Sequence, residues 1–141
     1  LIILVGPSGS GKSTYAQKFP DFEICSADTY MYEDGQYKFS AEKLGMAHNK
    51  CHREARLNLI AGNDVLIDNT NTRARERKEY LKMARELNIP VEIHCLPWKK
   101  EFLSRNIHGV DPAGVQRQVD RVDLEFGWIY DGDGNKLREI Q

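Results

Sequence analysis

Leu1-Ile2-Ile3-Leu4-Val5-Gly6-Pro7-Ser8-Gly9-Ser10-Gly11-Lys12-Ser13-Thr14 opens the chain and decides its fold class. An unbroken aliphatic run from Leu1 to Val5 describes a strand covered on both faces, because a half-exposed strand alternates apolar and polar side chains. The segment from Gly6 to Ser13 fits the pattern G-x-x-x-x-G-K-[ST], directly after that strand and directly before a helix that reads from Ser13 to Lys18. Strand, glycine loop and helix in this order form a phosphate-binding loop.

The chemistry follows from the residue types. Gly6, Gly9 and Gly11, with Pro7, Ser8 and Ser10 between them, let the backbone curl until successive amides point into one concavity, which holds phosphate. Lys12 is expected to reach the β- and γ-phosphates of ATP or another nucleoside triphosphate, the Ser13 hydroxyl to ligate Mg²⁺, and Thr14 to complete the nucleotide site.

Outward from this loop, strands and helices alternate. Phe22 to Cys25 is a second short strand, Ser40 to Ala61 a long amphipathic helix with Ser40 as its cap, and Val65 to Ile67 a third strand. Arg73 to Leu87 is helical again, Val91 to Leu96 the fourth strand, and Trp98 to Ile107 and Pro112 to Glu125 two further helices. Residues 98–111 read as a helical lid, and residues 126–141 as a hairpin-like tail around a turn-rich centre. The pattern predicts one α/β domain over residues 1–141, a P-loop NTPase whose doubly wound parallel sheet carries helices on both faces. Ligands then gather at the carboxyl ends of the strands. In the tail, Asp131, Asp133 and Asn135 imitate the start of a calcium loop, but Lys136 stands where that loop requires glycine.

Composition narrows the alternatives. With 141 residues, 40% of them hydrophobic, the chain builds one core and not two. No apolar run approaches the length of a membrane span. Three cysteines, odd in number and without C-x-x-C spacing, speak against a disulfide framework and for a reducing, cytoplasmic setting. Twenty basic against 21 acidic residues rule out binding nucleic acid over the whole surface, so any such contact is local. Two basic clusters, Arg73, Arg75, Arg77 and Lys78, and Lys99, Lys100, Arg105, Arg117 and Arg121, read as solvated helix faces or as the sides of a groove. The missing Met and the start within a strand lead us to expect that a short N-terminal segment precedes Leu1.

A domain this small has little machinery for coupling hydrolysis to large motions, which favours phosphoryl transfer. Transfer to a hydroxyl needs a carboxylate near the acceptor, and Asp28, just past the second strand, is the candidate base. Asp68 ends the third strand in the position of a Walker B carboxylate and pairs with Ser13 as a Mg²⁺ ligand. Asn69, Thr70 and Asn71 follow it and suit acceptor or nucleotide recognition. Arg105, before His108 and Gly109 in the lid, is the first choice to neutralise charge in the transition state, with Arg117 and Arg121 as weaker ones. His48, Cys51 and His52 share one helix face; Cys51 belongs to the apolar stripe, so His48 reads as a substrate contact or packing residue rather than a metal ligand.

With these residues placed, the chain resembles the P-loop polynucleotide 5′-hydroxyl kinase family, typified by the kinase domain of phage T4 polynucleotide kinase, and more closely the kinase-like domains of NEDD4-binding proteins. The resemblance rests on Gly6 to Thr14, Ser26-Ala27-Asp28-Thr29-Tyr30, Asp34-Gly35-Gln36-Tyr37-Lys38-Phe39, Ala47-His48, Ile67-Asp68-Asn69-Thr70-Asn71 and Arg105-Asn106-Ile107-His108-Gly109-Val110. It implies ATP and Mg²⁺ at Lys12 and Ser13, Asp28 as general base, Thr70 in the acceptor pocket, Arg105 in the lid, and a nucleic-acid 5′ end as acceptor. Two positions depart from the family: Met31 stands where it carries an acceptor-phosphate arginine, and its second lid arginine falls near His108. A nucleoside, a hydroxymethylated base in DNA or another small hydroxyl compound therefore stays open as acceptor, as does a non-catalytic module ordered by ATP.

Overall fold

The structure, a computed structural model, describes residues 1–104 and 110–141. Its central sheet combines β1 (Ile2–Val5), β2 (Glu23–Cys25), β5 (Val65–Ile67), β6 (Glu92–Cys95), β7 (Trp128–Asp131) and β8 (Lys136–Glu139) in the order β2-β5-β1-β6-β7-β8. The first four of these strands are parallel and the last two antiparallel. A separate ribbon pairs β3 (Tyr32–Glu33) with β4 (Gln36–Tyr37). The helices are α1 (Lys12–Ala16), α2 (Ala41–Ile60), α3 (Ala74–Glu86) and α4 (Pro112–Arg121), with 3-10 turns at Ala27–Met31 and Lys100–Ser104.

β1 shows why the opening run is aliphatic throughout. Ile3 and Val5 enter a core with Val65, Ile67, Ile93 and Cys95 from the sheet and Ala47, Cys51, Ala55, Leu59, Tyr80 and Met83 from α2 and α3. Ile2 and Leu4 point the other way, to Leu66 and Ala16, flanked by Tyr15, Phe19 and Phe22. Successive side chains of a strand leave on opposite faces, so a strand clamped between helix layers cannot alternate with polar residues. Helices on both faces thus match the expectation.

Several features differ from the sequence reading. The sheet is mixed: the tail forms the expected hairpin, but β7 joins β6 antiparallel, with Cys95 opposite Trp128. β2 is an edge strand, which leaves Glu23 and Ile24 exposed. Between Trp98 and Ile107 the described backbone forms only the 3-10 turn Lys100–Ser104, and α4 ends at Arg121, short of Glu125. Ser40 gives α2 no side-chain cap; Lys43 of its first turn instead pairs with Glu33 of β3.

Asp123 explains the early end of α4. Its Oδ2 accepts from the Ala74 amide at 2.8 Å and its Oδ1 from Arg77 Nη2 at 2.7 Å, so the chain leaving α4 caps the start of α3. Arg77, read from sequence as part of a basic surface, is 4% exposed and also donates to the Asn71 carbonyl at 2.8 Å. Similarly, the Asp131 carboxylate accepts from the amides of Asp133 and Asn135, each at 2.9 Å, and shapes the hairpin turn instead of a calcium loop.

Candidate active site

The glycine-rich loop is held from two sides. Gly6 N–H donates to the Thr70 carbonyl at 3.0 Å, tying the loop to the segment after β5, and Ser8 N–H donates to Gln118 Oε1 of α4 at 2.8 Å. Gly11 takes φ +89°, a left-handed conformation that suits glycine and turns the chain into α1. A Cβ on Gly6 would meet Ser10 Oγ at 2.5 Å, so a side chain there would force Ser10 to move.

Lys12 folds over this loop, donating Nζ to the carbonyls of Gly6 at 2.9 Å and Pro7 at 3.0 Å. Desolvation pushes its ammonium down to about 8, against the opposing pull of Asp68 and Asp28. A cation that is poorly hydrated and close to two carboxylates is primed for a polyanion. The Ser13 hydroxyl donates to Asp68 Oδ2 at 3.0 Å, which brings two hard oxygen donors together at the strand ends. That donor set, beside an amide-lined turn with the buried and unpartnered Ser10 hydroxyl, fits Mg²⁺ with a triphosphate.

Asp28 lies on the 3-10 turn between β2 and β3, half-buried, and accepts from the Tyr37 hydroxyl at 3.1 Å. Burial, followed by the charge of Asp28 and the bond to it, pushes the Tyr37 phenol up to about 12, so it remains a donor. Tyr37 belongs to a stretch singled out in the sequence, yet its role was not read there. Its signal, an aromatic two residues beyond Asp34-Gly35, is that of a tight hairpin returning towards Asp28.

Asn69 and Asn71, expected to face the acceptor, bind the framework instead. Asn69 Oδ1 accepts from the Ala27 amide at 2.8 Å and fixes the turn that carries Asp28, whereas Asn71 Nδ2 donates to the Leu4 carbonyl at 3.0 Å. Both are buried. Thr70 between them is half-buried, as is His48; the helix that carries His48, α2, packs against the Asp28 turn. Met31, at the departure from the family pattern, is fully buried and presents no surface to an acceptor.

Arg105, with His108, lies outside the described residues. On α4, Arg121 is one turn from Gln118, the residue that touches the loop, and Arg117 is adjacent to it; both are exposed. The cysteines are free and buried; burial lifts Cys25 and Cys95 to about 12 and Cys51 to about 11, leaving inert thiols. Among the described residues no group of three or more His, Cys, Asp or Glu is placed to hold a metal, and no helix is long and apolar enough to cross a membrane.

Over residues 1–123 the chain matches the family described as AAA domain, and it belongs to that family. Human NEDD4-binding protein 2 is 35% identical over 130 residues, which cover 85% of this chain and 7% of that protein. The chain thus spans a small part of that relative's length. Among solved structures, the Pnkp1/Rnl/Hen1 RNA repair complex superposes with TM-score 0.68 at 19% identity, over 86% of this chain and 43% of that one. A gluconokinase from Sinorhizobium meliloti 1021 superposes with TM-score 0.60 at 13% identity, over 86% of this chain and 74% of that one. The fold is that of the P-loop kinases.

Proposed function

We propose that this chain transfers the γ-phosphate of ATP, with Mg²⁺, to a hydroxyl group, and that the acceptor is the 5′-hydroxyl of DNA or RNA. The observation that carries this reading is the meeting of three devices at one sheet edge: the Lys12 loop, the Ser13–Asp68 pair, and Asp28 close enough to act on the Lys12 charge. The likeness in fold to a chain of an RNA repair complex adds to it.

In this reading the loop amides and Lys12 bind the triphosphate and orient its terminal group. Ser13 and Asp68 hold Mg²⁺, which supplies charge neutralisation when bound. Asp28, steadied by Tyr37, accepts the proton of the acceptor hydroxyl and aligns its oxygen. Thr70 and His48 border the acceptor, and Arg105 neutralises charge that builds on the transferred group.

A second reading rests on Met31. Its complete burial leaves that position without a contact for an acceptor phosphate, which favours a nucleoside, a hydroxymethylated base in DNA or another small hydroxyl compound over a nucleic-acid 5′ end. Transfer of labelled phosphate from ATP to 5′-hydroxyl oligonucleotides of DNA and RNA, with nucleosides in parallel, separates the readings. Asp28→Ala should reduce transfer about 100-fold or more while ATP still binds. Transfer to none of these by a chain that binds ATP would overturn the 5′-hydroxyl and nucleoside readings, leaving a modified base or small hydroxyl compound as acceptor or an ATP-ordered binding module.

A further inference from the structure

The ribbon that supplies Tyr37 carries a second ring with no part in holding Asp28. Tyr32 lies directly opposite Tyr37 across β3 and β4, and the rings meet edge-on with centroids 5.5 Å apart. Tyr37 packs on the core below with its hydroxyl on Asp28, whereas Tyr32 is 52% exposed. The Lys38 amide donates to the Met31 carbonyl at 2.8 Å, extending the pairing beyond the Tyr32 position, and Lys43 anchors the ribbon to α2 through Glu33. The aromatic step is therefore fixed to the framework and adjoins the carboxylate expected to meet the acceptor.

Exposed tyrosine at that place is chemically informative. A large apolar ring on a two-residue strand adds nothing to the core, and a sugar acceptor, which could lay only C–H bonds on it, offers it no aromatic face. A nucleobase does, and its stacking on an aromatic side chain tolerates any base sequence. Lys38 next to the ribbon, and Lys50, whose Nζ lies 5.2 Å from the centre of the ring of Tyr30 on the same 3-10 turn as Asp28, add positive charge for a phosphodiester backbone.

We infer that Tyr32, backed by Tyr37, is the stacking platform for the base that carries the acceptor hydroxyl, so that the site takes an unpaired terminal nucleoside unit of either sugar type. This rests on the kinase reading above and specifies its acceptor.

The test compares oligonucleotides bearing a 5′-hydroxyl on a normal, an abasic or a 2-aminopurine first nucleotide, with wild-type chain, Tyr32→Ala and Tyr32→Trp. Tyr32→Ala should raise KM for the base-bearing oligonucleotide about 10-fold with kcat changed much less, Tyr32→Trp should restore it, and the abasic end should be equally poor with all three. Equal KM for wild type and Tyr32→Ala, or for abasic and normal ends, overturns the platform. The 2-aminopurine arm, run with a non-hydrolysable ATP analogue, reads stacking without turnover: binding with quenching that Tyr32→Ala abolishes supports the platform, and its lack overturns it. Should the wild type phosphorylate no oligonucleotide, the 5′-end kinase assignment fails, and the binding arm still decides the platform by itself.

Discussion

The Ser13 hydroxyl donates to Asp68 Oδ2 across 3.0 Å, joining the first turn of α1 to the carboxyl end of β5. In the proposed function these two residues, 55 positions apart, hold one Mg²⁺ together, which would make their contributions interdependent. Ser13→Ala and Asp68→Asn should each weaken Mg²⁺-dependent ATP binding on the order of 10–100-fold. The double variant should lose little more than either alone. A Mg²⁺ titration of ATP binding in all four chains measures this, and simple additivity would count against a shared ion.

Lys12 makes nucleotide binding depend on pH. In the free chain its ammonium titrates at about 8 because burial disfavours the charge. A triphosphate favours the charge and raises that value, so binding takes up a proton once the pH exceeds about 8. ATP affinity should be flat below pH 8 and fall above it, by up to about tenfold per unit. Calorimetry in buffers of different ionisation heat at pH 8.5 should show proton uptake that Lys12→Met abolishes.

Arg77 is a stability residue in spite of its charge. Its side chain is 5% exposed and holds Asp123 and the Asn71 carbonyl together. Arg77→Ala should destabilise the fold by about 3 kcal/mol, since it removes a buried ionic contact and leaves a carbonyl unsatisfied. Urea unfolding provides the number, and a change below about 1 kcal/mol would show that Asp123, itself largely exposed, draws its partner from water.

A polar chain runs from α1 through the sheet to the tail. Tyr15 Oη and His94 Nδ1 are 2.6 Å apart, His94 Nε2 and Glu92 Oε1 2.9 Å, and Arg138 of β8 donates twice to Glu92 at 3.0 and 2.9 Å. Burial lowers His94, against the pull of Glu92, while the bond from Arg138 lowers Glu92. Both groups take up more protons unfolded than folded in their windows, so both make stability fall with acid. The loss should begin as pH drops through about 6.5 and steepen through about 4.5. His94→Gln should flatten the first part of that slope in urea midpoints measured from pH 7.5 to 5, and an unchanged slope would remove His94 from the account.

Much of this molecule was legible in its residues. The aliphatic opening run, the glycine loop and the helical periodicities gave four parallel strands, α2 and α3 nearly to their ends, and the hairpin. The same patterns placed the loop that leads to Lys12 and Ser13, and Asp68 and Asp28, beyond the carboxyl ends of strands, where a parallel sheet gathers its ligands. Less was legible where one side chain has two physical uses. Arg77 and Arg75 look alike in sequence, but only Arg77 faces Asp123; Asn69, Thr70 and Asn71 look alike too, yet the outer pair turns inward to brace the backbone.

By itself, the sequence determined what depends on neighbours in the chain: periodicity sets the elements, and a loop motif carries its own amide geometry and charge. The tertiary structure alone decided what depends on partners far along the chain. These are the mixed sheet made by β7, the Gln118 bond to the loop, the Tyr37 hydroxyl on Asp28 and the burial of Met31. A hydrogen bond or an edge pairing between distant segments is selected only when the whole fold has placed both groups and removed the water that competes for them.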